Sequence, residues 1–245
     1  MTEYIETCHK YLADHVDFDG SFKSIVEVKT KSIINACGTK PDLQNDSFLV
    51  LGQNVIQLGL IGLGVKPVVI DSENSHKIKH DGAIHYEGEL ADFVAQERTF
   101  DWVIGADEWL TYAATEDEQK QKLSCISKIT NKGFFTTIKD YKNMYSNQRY
   151  FEEPFVLRTE KGDIIVIRKR TWDNQDRQAW DNVNYIIHND DLKICTPWRR
   201  RTMYFKQLAK FVTDLGATQF TVEKNQMYKP IFSKSLEYVI VVKFN

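Results

Sequence analysis

The chain has 245 residues, 42% of them hydrophobic and 27% charged, which suits one large α/β domain or a core domain with an added lobe, with a core that needs no disulfide or metal to hold it. Its 32 basic and 34 acidic residues nearly cancel, which excludes a strong global field toward nucleic acid or an anionic membrane surface. Cys8, Cys37, Cys125 and Cys195 form no CxxC pair and no Cys/His cluster at zinc spacing, so no metal site is predicted.

The start shows no signal-peptide pattern, and the longest apolar runs, PVVI and LEYVIVVKF, are only of strand length. A cytoplasmic chain with reduced thiols and no membrane span is therefore expected. Residues 1–37 read as two helical segments. Tyr4, Ile5, Cys8, Tyr11 and Leu12 recur at helical spacing, and Phe22, Ile25 and Val26 follow the turn-like DFDG. With the loop GTKPDLQNDS they make 1–46 an expected N-terminal helical lid.

From Ser47 strands and helices alternate. FLVLGQ is a strand ending at Gly52, and a helix-compatible stretch runs on to Gly64. PVVID is the second strand, ending in Asp71; AIHYEG is the third, followed by the short helix ELADFVAQE. FDWVIGAD is the fourth, followed by a charged helix from about Glu116 to Thr130, and GFFTTIKDY is the fifth. Apolar runs separated by helices predict right-handed βαβ units and a mostly parallel sheet covered on both faces.

The last hundred residues change character. EPFVLRTEKGDIIVIRKRTW has a turn signal at Glu160–Asp163 and reads as a β-hairpin; NVNYIIHNDDLKI suggests a further strand. A helix is predicted from about Arg200 to Leu215, with Met203, Tyr204, Leu208, Phe211, Val212 and Leu215 on one face and Gly216 as its stop. TQFTVEK and LEYVIVVKF close the chain as strands.

Ligands of open parallel sheets settle outside the carboxyl ends of the strands, so the residues that follow each strand matter most. After the first come Gly52, Gln53 and Asn54, where a glycine lets the backbone approach a ligand. The second ends in Asp71-Ser72, a carboxylate able to accept both ribose hydroxyls, or else a helix N-cap. The third leads to Gly88-Glu89, suited to an adenine amino group or to a helix start. The fourth leads to Gly105-Ala106-Asp107-Glu108-Trp109, acids and an indole beside the same crevice.

This order resembles the class I S-adenosylmethionine-dependent methyltransferases. NKGFFTTIKDY resembles the family's fifth strand after its glycine turn, and RRTMYFKQLAKFVTDLGATQFTV with LEYVIVVKF resembles its last helix and strands six and seven. The resemblance implies a Rossmann-like, mostly parallel seven-stranded sheet with helices on both faces, an antiparallel C-terminal strand and an added β-hairpin. Residues 47–245 form the methyltransferase-like α/β domain, with 151–198 as an inserted hairpin or substrate lobe. It implies S-adenosyl-L-methionine as cofactor, held by Leu51, Gly52, Gln53, Asn54, Asp71, Ser72, Gly88, Glu89 and Asp107. The family motif hhDxGxGxG departs here to LVLGQNVI, with Val50 at the acid and Asn54 and Ile56 at the second and third glycines.

Methyl transfer from a sulfonium needs chiefly an acceptor held in line, and for oxygen or nitrogen acceptors the removal of a proton. Asp107, Asp140 and Tyr141 are the candidates for that step. Trp109, Arg199 and Arg200 are candidate substrate-binding residues, because arginine forks suit a carboxylate or phosphate; a solvated helix start is the structural alternative. Tyr145, Tyr150, Phe151, Trp172, Trp180 and Trp198 form either a substrate wall or packing, and His85 and His188 read as structural. A small molecule is expected as acceptor in preference to a protein. The altered first loop keeps one alternative open, a non-catalytic binding or assembly module. A nicotinamide-binding reading would need GxGxxG directly after the first strand, where the chain has GQNVIQ.

Overall fold

The computed structural model describes residues 3–5, 23–52, 55–70, 81–106, 108–139, 149–151, 154–176, 178–225 and 237–244. Strand β1 (Glu3–Ile5) and helix α1 (Lys23–Ile34) come first. The alternating series follows: β2 (Phe48–Leu51), α2 (Val55–Gly62), β3 (Val68–Ile70), β4 (Ile84–Tyr86), α3 (Leu90–Ala95), β5 (Phe100–Gly105), α4 (Glu116–Ile129) and β6 (Thr130–Lys139). A run of strands comes next: β7 (Arg149–Phe151), β8 (Phe155–Thr159), β9 (Gly162–Trp172), β10 (Ala179–His188), β11 (Asp191–Cys195) and β12 (Trp198–Arg201). Helix α5 (Phe205–Asp214) and strands β13 (Ala217–Lys224) and β14 (Glu237–Phe244) finish the chain.

One seven-stranded sheet has the order β13-β14-β6-β5-β2-β3-β4. Its members from β4 through β6 run parallel, and β14 lies antiparallel between β6 and β13. Period-two alternation explains the continuous apolar runs. Leu49 and Leu51 enter the core on one face with Phe93 of α3, Ile126 of α4 and Leu208 of α5. Phe48 and Val50 enter the other with Ile33 of α1 and Leu60 of α2. The central strands β2 and β3 are buried on both faces and are apolar at every position. The architecture is the Rossmann-like one expected.

Helices α1 and α2 approach closely on their face. A Cβ on Gly59 would stand 1.9 Å from Thr30 Oγ1, so only glycine fits that crossing. Helix α4 begins where its signals place it: the Thr115 side chain accepts from the Glu118 N–H at 3.2 Å, and the first turn is acidic. Among the described residues, no helix is long and apolar enough to cross a membrane.

A second seven-stranded sheet has the path β1-β11-β10-β9-β7, with β12 also pairing β10 and β8 pairing β9. The expected hairpin is β8–β9, and NVNYIIHNDDLKI supplies two strands, β10 and β11. Asn189 and Asp190 turn between them at φ 51° and 65°, the left-handed pair that suits a tight antiparallel connection. Two expectations of helix are corrected. Glu3–Ile5 pairs in parallel with β11, a partner far along the chain that local spacing does not encode. Residues 6–22 of that predicted helical region lie outside the described residues. Trp198–Arg201 is a strand and α5 starts only at Phe205, because Arg199 faces out and Arg200 in, at a period of two.

Candidate functional site

The carboxyl ends of β2, β5 and β6 meet at the place where the strand order reverses. Gly52 ends β2 at φ 73°, in the left-handed region, with its N–H donating to the Ile70 carbonyl at 3.2 Å. Directly after β5 a 3-10 turn, Trp109–Thr111, lays the indole of Trp109 across the tip of β2. A Cβ on Gly52 would stand 3.2 Å from Trp109 Cδ1. Leu51 is buried in the core just beneath. Val50 and Ile56, the departures from the family motif, are both fully buried in the cluster with Ile33, Leu60 and Ile104.

Of the predicted site residues, Gln53, Asn54, Asp71, Ser72, Asp107, Asp140 and Tyr141 lie outside the described residues. Gly88 and Glu89 lie between the end of β4 and the start of α3. The Glu89 N–H donates to Asp92 Oδ2 at 2.7 Å, which makes Glu89 the N-cap of that helix. Trp109 and Gly52 are therefore brought together, and Gly88-Glu89 stands at the end of the sheet's edge strand. Arg199 and Arg200 are separated by the pleat of β12. Arg199 is outward, bonded to Asp173 and to Asp181 Oδ1 at 3.4 Å, and its guanidinium holds the Asp173 carboxyl down to about 2. Arg200 is inward and 1% exposed.

A buried charge cluster that spacing did not reveal lies beside Trp109. Glu108 Oε2 stands 3.3 Å from Lys139 Nζ, 3.4 Å from Arg170 Nη2 and 3.9 Å from Arg200 Nη1. Glu108 has φ 61°, an uncommon conformation for a residue with a side chain. It is held there by its N–H donating to Thr137 Oγ1 at 3.1 Å and by Thr111 Oγ1 donating to its carbonyl at 2.7 Å. The Arg200 guanidinium lies 3.7 Å from the centre of the Tyr112 ring, and burial draws its pKa below the ordinary guanidinium value. Sequence marked Glu108 as an acid near the crevice. What it could not mark is that β6, β9 and β12 each send one cation to it. His188 Nε2 lies 3.2 Å from the Lys161 carbonyl. Among the described residues, no group of three or more His, Cys, Asp or Glu is placed to hold a metal.

Lys122 closes this region from α4. Its ammonium donates to the Tyr112 carbonyl and lies 4.8 Å over the Trp109 ring. Burial pushes its pKa down to about 8, Glu118 opposing and Arg200 adding to the shift. The folded chain thus binds fewer protons than the unfolded one between about pH 8 and the ordinary lysine value of 10.5, so stability rises with pH across that window. Denaturant titrations at pH 7.5 and 9.5 are expected to show the wild type gaining about 1–2 kcal/mol relative to Lys122→Met. Parallel pH profiles for the two proteins would refute the burial.

Solved structures share this architecture. The CcbJ methyltransferase from Streptomyces caelestis matches with a TM-score of 0.66 over 89% of this chain and 96% of its own, at 15% identity. DesVI from Streptomyces venezuelae matches with a TM-score of 0.66 over 96% and 95%, at 9% identity. The sugar N-methyltransferase KedS8 from a Streptoalloteichus species matches with a TM-score of 0.63 over 99% and 95%, at 8% identity. The chain has the class I S-adenosylmethionine-dependent methyltransferase fold. No protein-family model and no curated protein matches the sequence.

In open parallel sheets of this kind ligands settle in the crevice at the strand tips, where the Trp109 indole packs against both Gly52 and Gly105. The tip of β2 carries no Cβ, and the bulky Val50 and Ile56 are directed into the core, away from the crevice. The indole of Trp109 offers an aromatic surface beside the tip, suited to a sulfonium or to an acceptor ring.

Proposed function

We propose that the chain binds S-adenosylmethionine at the tips of β2, β3 and β4 and transfers its methyl group to a small molecule. The observation that carries this reading is the left-handed Gly52 at the topological switch point of a sheet with the methyltransferase strand order. The likeness to methyltransferases, among them a sugar N-methyltransferase, supports the reaction class and a small acceptor.

Leu51, Gly52, Gln53 and Asn54 form the backbone loop beside the cofactor, Asp71 with Ser72 accepts from the ribose, and Gly88-Glu89 lies toward the adenine. When bound, the sulfonium supplies an already activated methyl group, so the chain's task is to orient the acceptor and receive its proton. Trp109 and the inward arginine of β12 bound the acceptor side. Asp107, Asp140 and Tyr141 follow β5 and β6 in sequence and are the groups assigned to take the proton.

Isothermal titration with S-adenosylmethionine and S-adenosylhomocysteine tests the reading. Binding of both is expected. Asp71→Ala should weaken S-adenosylhomocysteine about tenfold to a hundredfold, the loss of about 1.5–3 kcal/mol from a charged hydrogen bond. Absence of heat at millimolar ligand would leave a methyltransferase scaffold serving as a binding module.

A further inference from the structure

Among the described residues of the strand that carries the arginine run, Arg200 leaves two buried donors open and Arg201 leaves one, its Nε. Arg199 engages Asp181 and Asp173, and Arg201 engages Asp176 and, at 2.8 Å, Gln178 Oε1. These two bonded sets account for the outward part of the run. Arg200 differs. Its side chain is 2% exposed, its Nη1 reaches Glu108 only at 3.9 Å, and its buried Nε and Nη2 have no hydrogen-bond partner. Nε and Nη2 share one edge of the guanidinium, the edge whose parallel N–H bonds match two oxygens of a carboxylate or phosphate. Leaving two donors of a buried cation unsatisfied is costly, so an oxyanion reaching them is bound strongly.

Position gives the edge its meaning. Glu108 and Tyr112, which hold the Arg200 guanidinium, belong to the segment that follows the tip of β5. Trp180 backs it, with its ring centre 5.9 Å away, and Lys139 ends the neighbouring strand β6. We propose that Arg200 recognises an anionic methyl acceptor, its Nε–Nη2 edge taking two oxygens of one carboxylate or phosphate group. That the oxyanion belongs to the acceptor rests on the methyl-transfer reading; that it binds at Arg200 rests on geometry alone. The pairing is planar and bidentate, so lysine at this position cannot reproduce it.

Thermal unfolding of the full chain at constant ionic strength, with chloride replaced stepwise by malonate or by inorganic phosphate, tests the site. A saturable rise in Tm is expected with at least one of them, and which one responds tells a carboxylate from a phosphate. Arg200→Met should abolish the rise and Arg200→Lys should weaken the anion at least about tenfold, whereas Arg199→Met should leave it. Nitrogen-15 NMR of the wild type needs no folded variant: the Arg200 Nε–H resonance should shift as the anion saturates. The assignment is overturned if neither anion exceeds chloride and the resonance stays still, the result expected of a buried water alone. It is equally overturned if the rise persists in Arg200→Met. Titration of the same sample with S-adenosylhomocysteine separates the two readings. Nucleoside binding without an anion response sinks the role of Arg200 alone. An anion response without nucleoside binding sinks methyl transfer and leaves an oxyanion site.

Discussion

Replacing Glu108 by glutamine is expected to lower the free energy of unfolding by about 3–5 kcal/mol, the cost of leaving buried cations without their carboxylate. Lys139, Arg170 and Arg200 all approach the same oxygen, and their side chains are 10%, 0% and 2% exposed. Water cannot take over the lost interaction at such exposures. Glutamine keeps the length and shape of the side chain and the same left-handed backbone, so the loss isolates charge from packing. Asp117 serves as the control, because its side chain is 96% exposed and its ion pair with Lys120 spans 3.8 Å. Asp117→Asn should change stability by no more than about 0.5 kcal/mol. Urea unfolding at neutral pH, followed by tryptophan fluorescence, measures both. Equal losses for the two variants would mean that the buried cluster contributes nothing beyond a surface pair.

The second large effect is expected at Gly52. Valine there must adopt φ near 73°, where a β-branched side chain is a true outlier, and its Cβ would press on the Trp109 indole at 3.2 Å. Gly52→Val should destabilise the fold by about 1–3 kcal/mol. It should also weaken S-adenosylhomocysteine more than about a hundredfold, because a branched side chain stands where the backbone must approach the ligand. Gly52→Ala should fall between the two proteins in both measurements. Calorimetry on folded protein, verified by circular dichroism, reads the affinity. Undiminished binding in Gly52→Val would move the cofactor away from the tip of β2.

The two arms of the site differ in what reveals them. Gly52, Trp109 and Glu108 stand within or just after strands β2 and β5, whose apolar runs are plain in the chain, so their place at strand ends could be read directly. Arg200 lies in a four-residue segment, WRRR, adjoining an amphipathic helix. So short a segment shows too few turns to separate a period of two from one of 3.6, and the predicted helix begins within it, at about Arg200. Glu89 illustrates the opposite case: its residue type suited either an adenine contact or a helix start, and its N-cap position accounts for the second.

Sequence by itself determined the apolar strands from Phe48 to Lys139, the described helices between them and the hairpin turn read at Glu160–Asp163, because these depend on neighbours a few residues apart. Only the tertiary structure decided the position of β14, between β6 and β13, and that β1 joins the second sheet. It alone decided that cations from β6, β9 and β12 converge on the carboxylate that follows β5. Hydrogen-bonded strand pairing and charge compensation act between groups close in space, and nothing in local periodicity records which distant segments those are.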